Sequence, residues 1–322
     1  MVESVFNASL SVFVLILAGG FLRYIRCLRQ EADASLMSLC INVLYPCLIF
    51  DRISRTDILS HLDTMWAAPI AGFLSVSVAL GCGYLFTWLP GRFTLLGSLE
   101  ERRTFAMATA VSNYGYLPIP ILLLLYPNDP EVMSMLFVYT LGVELAVWTC
   151  AVPYLGGGFH KGWWKNMITT PFLTILAAVA LNLLGVVPYL PEFLSKSIEW
   201  VGLGQICIPL LVIGAIIFDE LVKSKEFWRW ATLGNVFWIH FFRSGIVPAM
   251  MVFMAMNLPQ FPLLQKILVI QAAMPTGMIL VMFSRLYGGS PATAVKAVLA
   301  TNLLAPVTSV FWIALGMRLI QG

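Results

Sequence analysis

The sequence predicts an all-α membrane protein with ten transmembrane helices, arranged as two inverted repeats of five helices. Hydrophobic residues make up 60% of the 322 residues and charged residues only 11%, whereas soluble domains have roughly 25% charged residues. The mean hydropathy is +0.88, and the charged residues gather in short clusters between apolar runs that are long enough to cross a bilayer core of ~30 Å. This composition excludes a water-soluble fold.

Ten apolar runs follow one another along the chain, each near the ~20 residues that a helix needs to cross a bilayer. The first run follows Glu3 instead of a basic segment and is itself followed by three arginines, so we interpret it as an uncleaved span and not as a signal peptide. The runs lie near 4–22, 35–50, 65–89, 104–126, 132–155, 171–187, 197–218, 234–256, 265–284 and 295–317.

The basic residues predict the orientation, because cytoplasmic loops are enriched in Lys and Arg. With the amino terminus outside, thirteen basic residues lie on the cytoplasmic side, five lie outside, and Arg243 lies within a span. We therefore expect a multi-pass protein of the cell membrane with both termini extracytoplasmic. The net charge of +3 resides in loops, so it indicates topology and not nucleic-acid binding.

Two matching patterns relate the two halves of the chain, and the first concerns spans 2 and 7. Asn42 lies four residues before Pro46, and Gln205 lies four residues before Pro209. A proline leaves the carbonyl four residues earlier without its helical partner. An amide at that position in both spans therefore predicts a matched pair of polar breaks.

The second pattern concerns spans 4 and 9, which are interrupted by Gly and Pro at 112–120 and at 272–278. Because five is odd, a second five-span unit has to enter the membrane in the opposite orientation. We therefore predict a first repeat over 1–155 and an inverted repeat over 171–322, joined by a short cytoplasmic loop at 156–170. Discontinuous helices in inverted-repeat transporters place a binding site near the bilayer midplane.

The break in span 4 contains Asn113, Gly115, Pro118 and Pro120, which cannot continue a regular helix. The half-helix that restarts near Ile119 is expected to present unpaired N–H groups and a partial positive charge of ~0.5 e at mid-membrane.

Span 9 is expected to do the same from the opposite side at Pro275, Thr276 and Gly277. Two positive helix ends that face each other suit a carboxylate, and packing kinks without a ligand are the alternative. The predicted substrate-binding residues are Asn113, Tyr114, Gly115, Pro118, Pro120, Gln271, Met274, Pro275, Thr276, Gly277 and Arg243.

Three ionisable residues lie within apolar spans, where they need partners or a wet cavity. Arg243 in span 8 has three open alternatives, namely pairing with Glu144 of span 5, binding the anionic substrate, or reaching the headgroups by snorkelling. Glu144 is the candidate for proton coupling. His240 lies three residues from Arg243 and is expected to be a neutral hydrogen-bonding neighbour.

Amides within the spans either coordinate Na⁺ together with unwound carbonyls or tie helices together. The tie is favoured for each except Asn113, which lies at the break. These amides are Asn113, Asn182, Asn235, Gln271 and Asn302. The residues predicted to serve coupling or support are Glu144, His240, Asn42 and Gln205. No cofactor and no bound metal are expected beyond H⁺ or Na⁺ coupling.

Catalytic motifs are missing from the sequence. It has three histidines and contains no HExxH, GxSxG or Walker loop. We therefore predict that the protein is not an enzyme and that its transport is not driven by ATP.

Five stretches of the sequence match a known family, in order along the predicted spans: INVLYPCLIF (41–50), NYGYLPIP (113–120), AAMPTG (272–277), LYGG (286–289) and ATNLLAPVTSVFWIAL (300–315). By these stretches the sequence resembles the auxin efflux carrier family. The resemblance implies crossing broken helices in spans 4 and 9 and a bundle of spans 3–5 and 8–10 that moves against a scaffold of spans 1, 2, 6 and 7. It implies a fold similar to that of bile-acid sodium symporters and sodium/proton antiporters, and substrates such as auxin, malate or malonate.

By the same resemblance, Asn113 matches the family's amide at the first break, Pro120 its crossover proline and Pro275 the partner proline. Pro118 stands where glycine is usual, which stiffens the break and changes the pocket shape. The segment at 156–170 is short, as is typical of a prokaryotic-type member and unlike many plant members.

The sequence thus predicts a secondary active transporter of a small organic anion, either auxin-like or a dicarboxylate. We expect efflux by an elevator-type mechanism and, as a partner, a second copy bound through the scaffold. The alternative is a membrane receptor or sensor that binds a ligand without transporting it. A channel is less favoured, because crossed half-helices are typical of alternating access.

Overall fold

The computed structural model describes residues 2–56, 65–88, 97–127, 129–159, 168–223 and 237–321. In these segments the regular secondary structure is helical, which confirms the all-α class. Asn235, His61, His160 and the central part of the predicted loop at 156–170 lie outside the described residues.

The described helices are numbered here in chain order, and α2 joins a 3₁₀ turn, a π-turn and two α-helical stretches into one rod. They are α1 (Val2–Tyr24), α2 (Gln30–Ser54), α3 (Ala67–Trp88), α4 (Leu99–Ala110), α5 (Pro118–Leu125), α6 (Pro130–Gly156), α7 (Thr170–Leu183), α8 (Glu192–Lys223), α9 (Phe237–Met256), α10 (Pro262–Ala272), α11 (Ile279–Leu286) and α12 (Pro291–Gln321).

Seven of these helices are long and apolar enough to cross a membrane, namely α1, α2, α3, α6, α8, α9 and α12. Helices α7 and α10 are apolar but shorter. The predicted spans 4 and 9 each consist of two half-helices, α4 with α5 and α10 with α11. The total of ten spans and the inverted relation of the halves stay predictions.

Three helices contain a five-residue π-turn directly before an X-Pro pair. Because proline has no N–H and its ring collides with the carbonyl four residues earlier, the wider turn relieves the clash at these three positions. The turns are Cys40–Leu44 before Pro46 in α2, Val147–Ala151 before Pro153 in α6, and Phe242–Ile246 before Pro248 in α9.

The predicted pair of polar breaks in spans 2 and 7 is wrong. Helix α8 continues as a regular α-helix through Pro209, whereas α2 has its π-turn before Pro46. Asn42 is exposed and ties α2 to α7, because its Oδ1 accepts a hydrogen bond from Thr170 Oγ1 at 2.8 Å. Gln205 is only 1% exposed within α8. The same spacing of amide and proline therefore accompanies a π-turn in α2 and an unbroken α-helix in α8.

Glycines let several helices approach backbone to backbone, as small residues do in membranes. A Cβ atom on Gly142 of α6 would overlap the Pro69 carbonyl of α3, and one on Gly72 would overlap the Tyr139 carbonyl. Helices α1 and α8 are as close at Gly214. A larger side chain at any of these glycines would therefore push α3 from α6, or α1 from α8.

The helices pack as two groups. Helices α1, α2, α7 and α8 form the four-helix group, and α3 to α6 with α9 to α12 form the crossing group. The two groups meet where α1 contacts α5 and α12, where α2 and α7 contact α6, and where α8 contacts α12.

Ion pairs join three helices of the four-helix group, α1, α2 and α8, at its two ends. Arg23 of α1 binds Asp33 of α2 (Nη2–Oδ2, 2.5 Å) and Asp219 of α8 (Nε–Oδ2, 3.3 Å). At the other end, Arg55 follows α2 and binds Glu199 of α8 (Nη2–Oε2, 2.8 Å).

Candidate functional site

The two broken helices meet at one place, which we call the crossing. Helix α4 ends at Ala110, and Val111 is extended with φ −89° and ψ 100°. The segments after α4 and α10 pair as an antiparallel bridge: Asn113 N–H donates to Pro275 O at 2.8 Å, and Gly277 N–H donates to Val111 O at 3.0 Å. The crossing therefore brings together the ends of α4, α5, α10 and α11.

Side chains tie the backbone of the crossing. Thr276 N–H donates to Thr301 Oγ1 at 3.1 Å, and Thr276 O accepts from Asn302 Nδ2 at 3.0 Å. Gln271 Nε2 donates to Tyr114 O at 3.0 Å, which joins α10 to the first break. Backbone groups that leave a helix within a membrane need such partners. The ties predicted for Gln271 and Asn302 are present.

Arg243 is 2% exposed, and its guanidinium donates to backbone carbonyls of both half-helices that end at the crossing. Its Nε and Nη2 reach Met274 O at 2.9 and 2.6 Å, Nη1 reaches Thr109 O at 3.2 Å, and Nη2 reaches Gln271 O at 3.4 Å. Thr109 lies in the last turn of α4, and Gln271 lies in that of α10. A cation is favoured at the carboxyl end of a helix.

This geometry corrects two of the alternatives for Arg243. The side chain does not snorkel, because it is buried, and in the described part of the chain no carboxylate is within salt-bridge distance of it. Glu144 is bound elsewhere. The sequence hypotheses did not include a bond to backbone carbonyls.

A cavity of about 610 Å³ lies beside the crossing, between it and the four-helix group. Pockets for small molecules typically measure ~300–1,000 Å³. Most of its wall is apolar, with contributions from Ile213 and Ile217 of α8 and from Met278, Ile279 and Phe283 at and within α11.

Four of the eleven predicted substrate-binding residues line this cavity, namely Asn113, Tyr114, Gly115 and Gly277. The other seven are buried behind its wall, where they build the crossing: Pro118, Pro120, Gln271, Met274, Pro275, Thr276 and Arg243. Of the residues predicted for coupling or support, Glu144 lines the cavity. His240 lies outside its wall, with Nδ1 3.3 Å from Ser244 Oγ.

Asn113 lines the cavity and carries a buried side-chain donor that is unpaired in the described residues. The residue is 4% exposed, and its Oδ1 accepts a hydrogen bond from Tyr116 N–H at 3.3 Å. Its Nδ2 has no hydrogen-bond partner among the described residues. A buried donor left unpaired costs about 1–3 kcal/mol, so a ligand that accepts from this amide recovers that free energy.

The two half-helix starts differ more than the sequence predicted. Pro118 and Pro120 have no N–H, so Ile119 supplies the one backbone donor in the first three positions of α5. All three residues are buried. In contrast, α11 begins at the cavity wall, where Met278 and Ile279 line it. The positive end that a ligand reaches is therefore that of α11.

Glu144 places a carboxylate in the same cavity, three residues before the start of the π-turn Val147–Ala151. Its Oε1 accepts from Tyr114 O–H at 3.0 Å, and its Oε2 accepts from Trp148 Nε1 at 3.2 Å. Trp148 packs edge-on against Phe283 of α11, with 5.3 Å between ring centroids. Glu144 is thus connected to the first break and to α11.

The sequence interpretation missed other residues of the wall. Tyr116 lies within the same motif as Asn113, and Trp148 lies one turn after Glu144, so the i, i+4 spacing was a usable signal. Ser112 and Met278 lie within the interrupted stretches 112–120 and 272–278 but were not singled out. Nothing local marks the members from α2 and α8, because tertiary packing alone brings these helices to the crossing. The main ones are Tyr45, Ser112, Ile213, Ile217, Glu220, Met278, Phe283 and Arg285.

Comparisons with known proteins identify a family of membrane transport proteins. A family model described as "Membrane transport protein" matches residues 4–154 and 159–313. An uncharacterized transporter of Methanocaldococcus jannaschii is 22% identical over 284 residues, which cover 86% of this chain and 88% of that protein.

A second uncharacterized transporter, from Methanothermobacter thermautotrophicus, is 26% identical over 209 residues, or 63% of this chain and 64% of that protein. A probable sphingolipid transporter of Arabidopsis thaliana, spinster homolog 1, is 31% identical over 93 residues, but these cover 28% of this chain and 18% of that protein, so the similarity is local. The family match extends over nearly the whole sequence and confirms the resemblance to the auxin efflux carriers. This multi-pass membrane protein therefore belongs to the membrane transport protein family.

Proposed function

We propose that this transporter carries a small organic anion, and that the anion binds at the cavity beside the crossing. The observation that carries the proposal is the unpaired Nδ2 of Asn113, on a residue 4% exposed in the cavity wall. A carboxylate accepts from this amide and is favoured by the partial positive charge, ~0.5 e, at the start of α11.

The remaining wall favours one kind of organic anion. Ile213, Ile217 and Phe283 face the cavity with apolar side chains, which suit a hydrocarbon or aromatic body. A second carboxylate would lose its hydration against such a surface at high cost. An auxin-like monocarboxylate therefore fits the wall better than a dicarboxylate.

The wall also supports an orientation. Glu220 and Arg285 line the cavity at the ends of α8 and α11, and the excess of basic residues predicts that this side is cytoplasmic. We therefore assign the structure to an inward-facing state with both termini outside, in which the cavity is loaded from the cytoplasm.

We further propose that alternating access is a rigid shift of the crossing group against the four-helix group. The ion pairs of Arg23 and Arg55 join α1, α2 and α8 of the four-helix group, and Asn182 bonds α7 to α2. The hydrogen bonds of the crossing hold the site within the other group. A rigid shift keeps both sets intact, as in other transporters in which one repeat moves against the other.

Proton coupling follows from the position of Glu144. A bound anion and an ionised Glu144 would place two negative charges in one apolar cavity, where like charges repel strongly. The anion therefore binds together with the protonated form of Glu144, and each transported anion is accompanied by a proton.

The test of the anion site is uptake into proteoliposomes of a panel of monocarboxylates, dicarboxylates and matched neutral amides. We expect monocarboxylate uptake by the parent and a rise in KM of about tenfold or more in Asn113→Ala, because a hydrogen bond to a charged group contributes about 1.5–3 kcal/mol. The matched control is Asn257→Ala, an exposed amide at the end of α9 that should leave KM unchanged.

Equal KM values for Asn113→Ala and the parent would remove Asn113 from the site. A parent that binds members of the panel without accumulating them would instead support the receptor alternative. Coupling is measured separately under imposed pH and Na⁺ gradients. Uptake should respond to the pH gradient in the parent and not in Glu144→Gln, and an identical response in both would reject Glu144 as the proton site.

A further inference from the structure

The guanidinium of Arg243 is a buried positive charge whose bonds all go to backbone carbonyls. It is 2% exposed and makes four hydrogen bonds, at 2.6 to 3.4 Å, to carbonyls of Met274, Thr109 and Gln271. Burying a charge is costly unless it is compensated. In the described residues the compensation comes from the carboxyl ends of α4 and α10.

The charges of the four helix ends at the crossing would otherwise cancel. Two carboxyl ends, of α4 and α10, carry ~−0.5 e each, and two amino ends, of α5 and α11, carry ~+0.5 e each. The helix ends alone would therefore give the crossing almost no net charge. With the unit charge of Arg243 added, the helix ends and the guanidinium together carry about one positive unit, and the Glu144 carboxylate in the cavity wall offsets this charge only when it is ionised.

Neutral donors already satisfy other carbonyls at the same breaks. Asn302 Nδ2 donates to Thr276 O at 3.0 Å, and Ser309 Oγ donates to Ala273 O at 2.9 Å. Hydrogen bonding alone therefore does not require an arginine at the crossing. A cation adds what an amide or a hydroxyl lacks, which is charge.

We propose that Arg243 gives the crossing its preference for a single negative charge, although its side chain lies behind the cavity wall. It is a positioning residue, since it acts through the helix ends and not by contact with the substrate. This inference rests on the proposed anion function, and it assigns the source of the charge selectivity of that site.

The test measures the electrostatic preference of the cavity without a substrate. Met278→Cys introduces a thiol at the start of α11, in the cavity wall. Its rates of modification by an anionic and a cationic methanethiosulfonate reagent of similar size are measured in detergent micelles, by mass spectrometry of the peptide that contains position 278. This readout separates the introduced thiol from the six native cysteines.

We expect the ratio of the anionic to the cationic rate to fall about tenfold when Arg243→Met is added, because one unit charge is lost from a region of low dielectric. Arg243→Lys keeps the charge and should keep the ratio, even where it lowers the melting temperature. Asn302→Leu removes a neutral cap from the same break and should leave the ratio unchanged.

A ratio that stays within twofold in Arg243→Met, or that falls as far in Arg243→Lys as in Arg243→Met, would overturn the proposal. If Arg243→Met does not fold, Arg243→Gln serves the same purpose, because its amide can still donate to Met274 O without a charge. The reagent ratio is independent of flux. A parent that transports no anion but shows the expected ratios would reject the proposed function and leave the role of Arg243 standing.

Discussion

Replacement of Gly277 by alanine should push the two breaks apart. A Cβ atom at this position would stand 2.7 Å from Ser112 O and 3.1 Å from Ser112 C, and the neighbours are backbone atoms that cannot rotate away. Since ordinary contacts begin at 3.4 Å, the segments have to separate by about 0.7 Å. Gly277→Ala therefore perturbs the crossing directly.

The size of the effect follows from the bridge between the segments. A shift of about 0.7 Å would lengthen the hydrogen bond from Gly277 N–H to Val111 O from 3.0 Å to about 3.7 Å, which is no longer a hydrogen bond. Overpacking of this kind costs about 1–3 kcal/mol. Because Asn113 N–H donates across the same bridge, its amide is displaced as well, and we expect transport to fall about tenfold or more.

The assay compares melting temperature and initial uptake rate of Gly277→Ala with those of Gly81→Ala. Gly81 lies within α3, and a Cβ atom there meets open space. Alanine at this position should leave transport unchanged and stabilise the helix by about 0.5–1 kcal/mol. If both variants match the parent in stability and uptake, the close approach at the crossing does not constrain the site and our reasoning is refuted.

Two further substitutions test individual hydrogen bonds. Trp312→Phe removes the indole donor to Ser244 O (2.5 Å) and should lower the free energy of unfolding by about 1–3 kcal/mol. Pro248→Ala supplies an N–H that can donate to Ser244 O in place of the indole. A double-mutant cycle of Trp312→Phe and Pro248→Ala should therefore show coupled effects on stability, and additive effects would contradict the role assigned to the indole. Asn182→Leu removes the donor to Ile53 O (2.9 Å) and should lower the melting temperature without changing KM; a changed KM would place α7 in the transport step.

The crossing could be located from the sequence because its signals are local. Proline and glycine act on their own backbone, so the runs at 113–120 and 272–277 show where helices end without any knowledge of their neighbours. The same local rule failed at Pro209, where α8 continues unbroken.

The partners of Arg243 could not be predicted in this way. A search for partners of a buried cation looks for acidic side chains, and the sequence offered Glu144. The actual acceptors are carbonyls of Thr109, Gln271 and Met274. Every residue has a carbonyl, and the last carbonyls of a helix have no partner within that helix. Which of them can bind one arginine is decided only where two half-helices end at the same point. The apolar wall from α8 was hidden for the same reason, since it depends on packing between distant segments.

Tyr114 connects the anion site to the carboxylate that we propose for proton coupling. Its hydroxyl donates to Glu144 Oε1 at 3.0 Å, and its carbonyl accepts from Gln271 Nε2 at 3.0 Å. The residue directly before it is Asn113, whose backbone N–H belongs to the bridge. A change in the charge of Glu144 alters its hydrogen bond with Tyr114, a residue of the first break that is also bonded to Gln271 of α10. Coupling between proton and anion therefore requires no contact between the two, because the backbone at 113–114 is common to both sites.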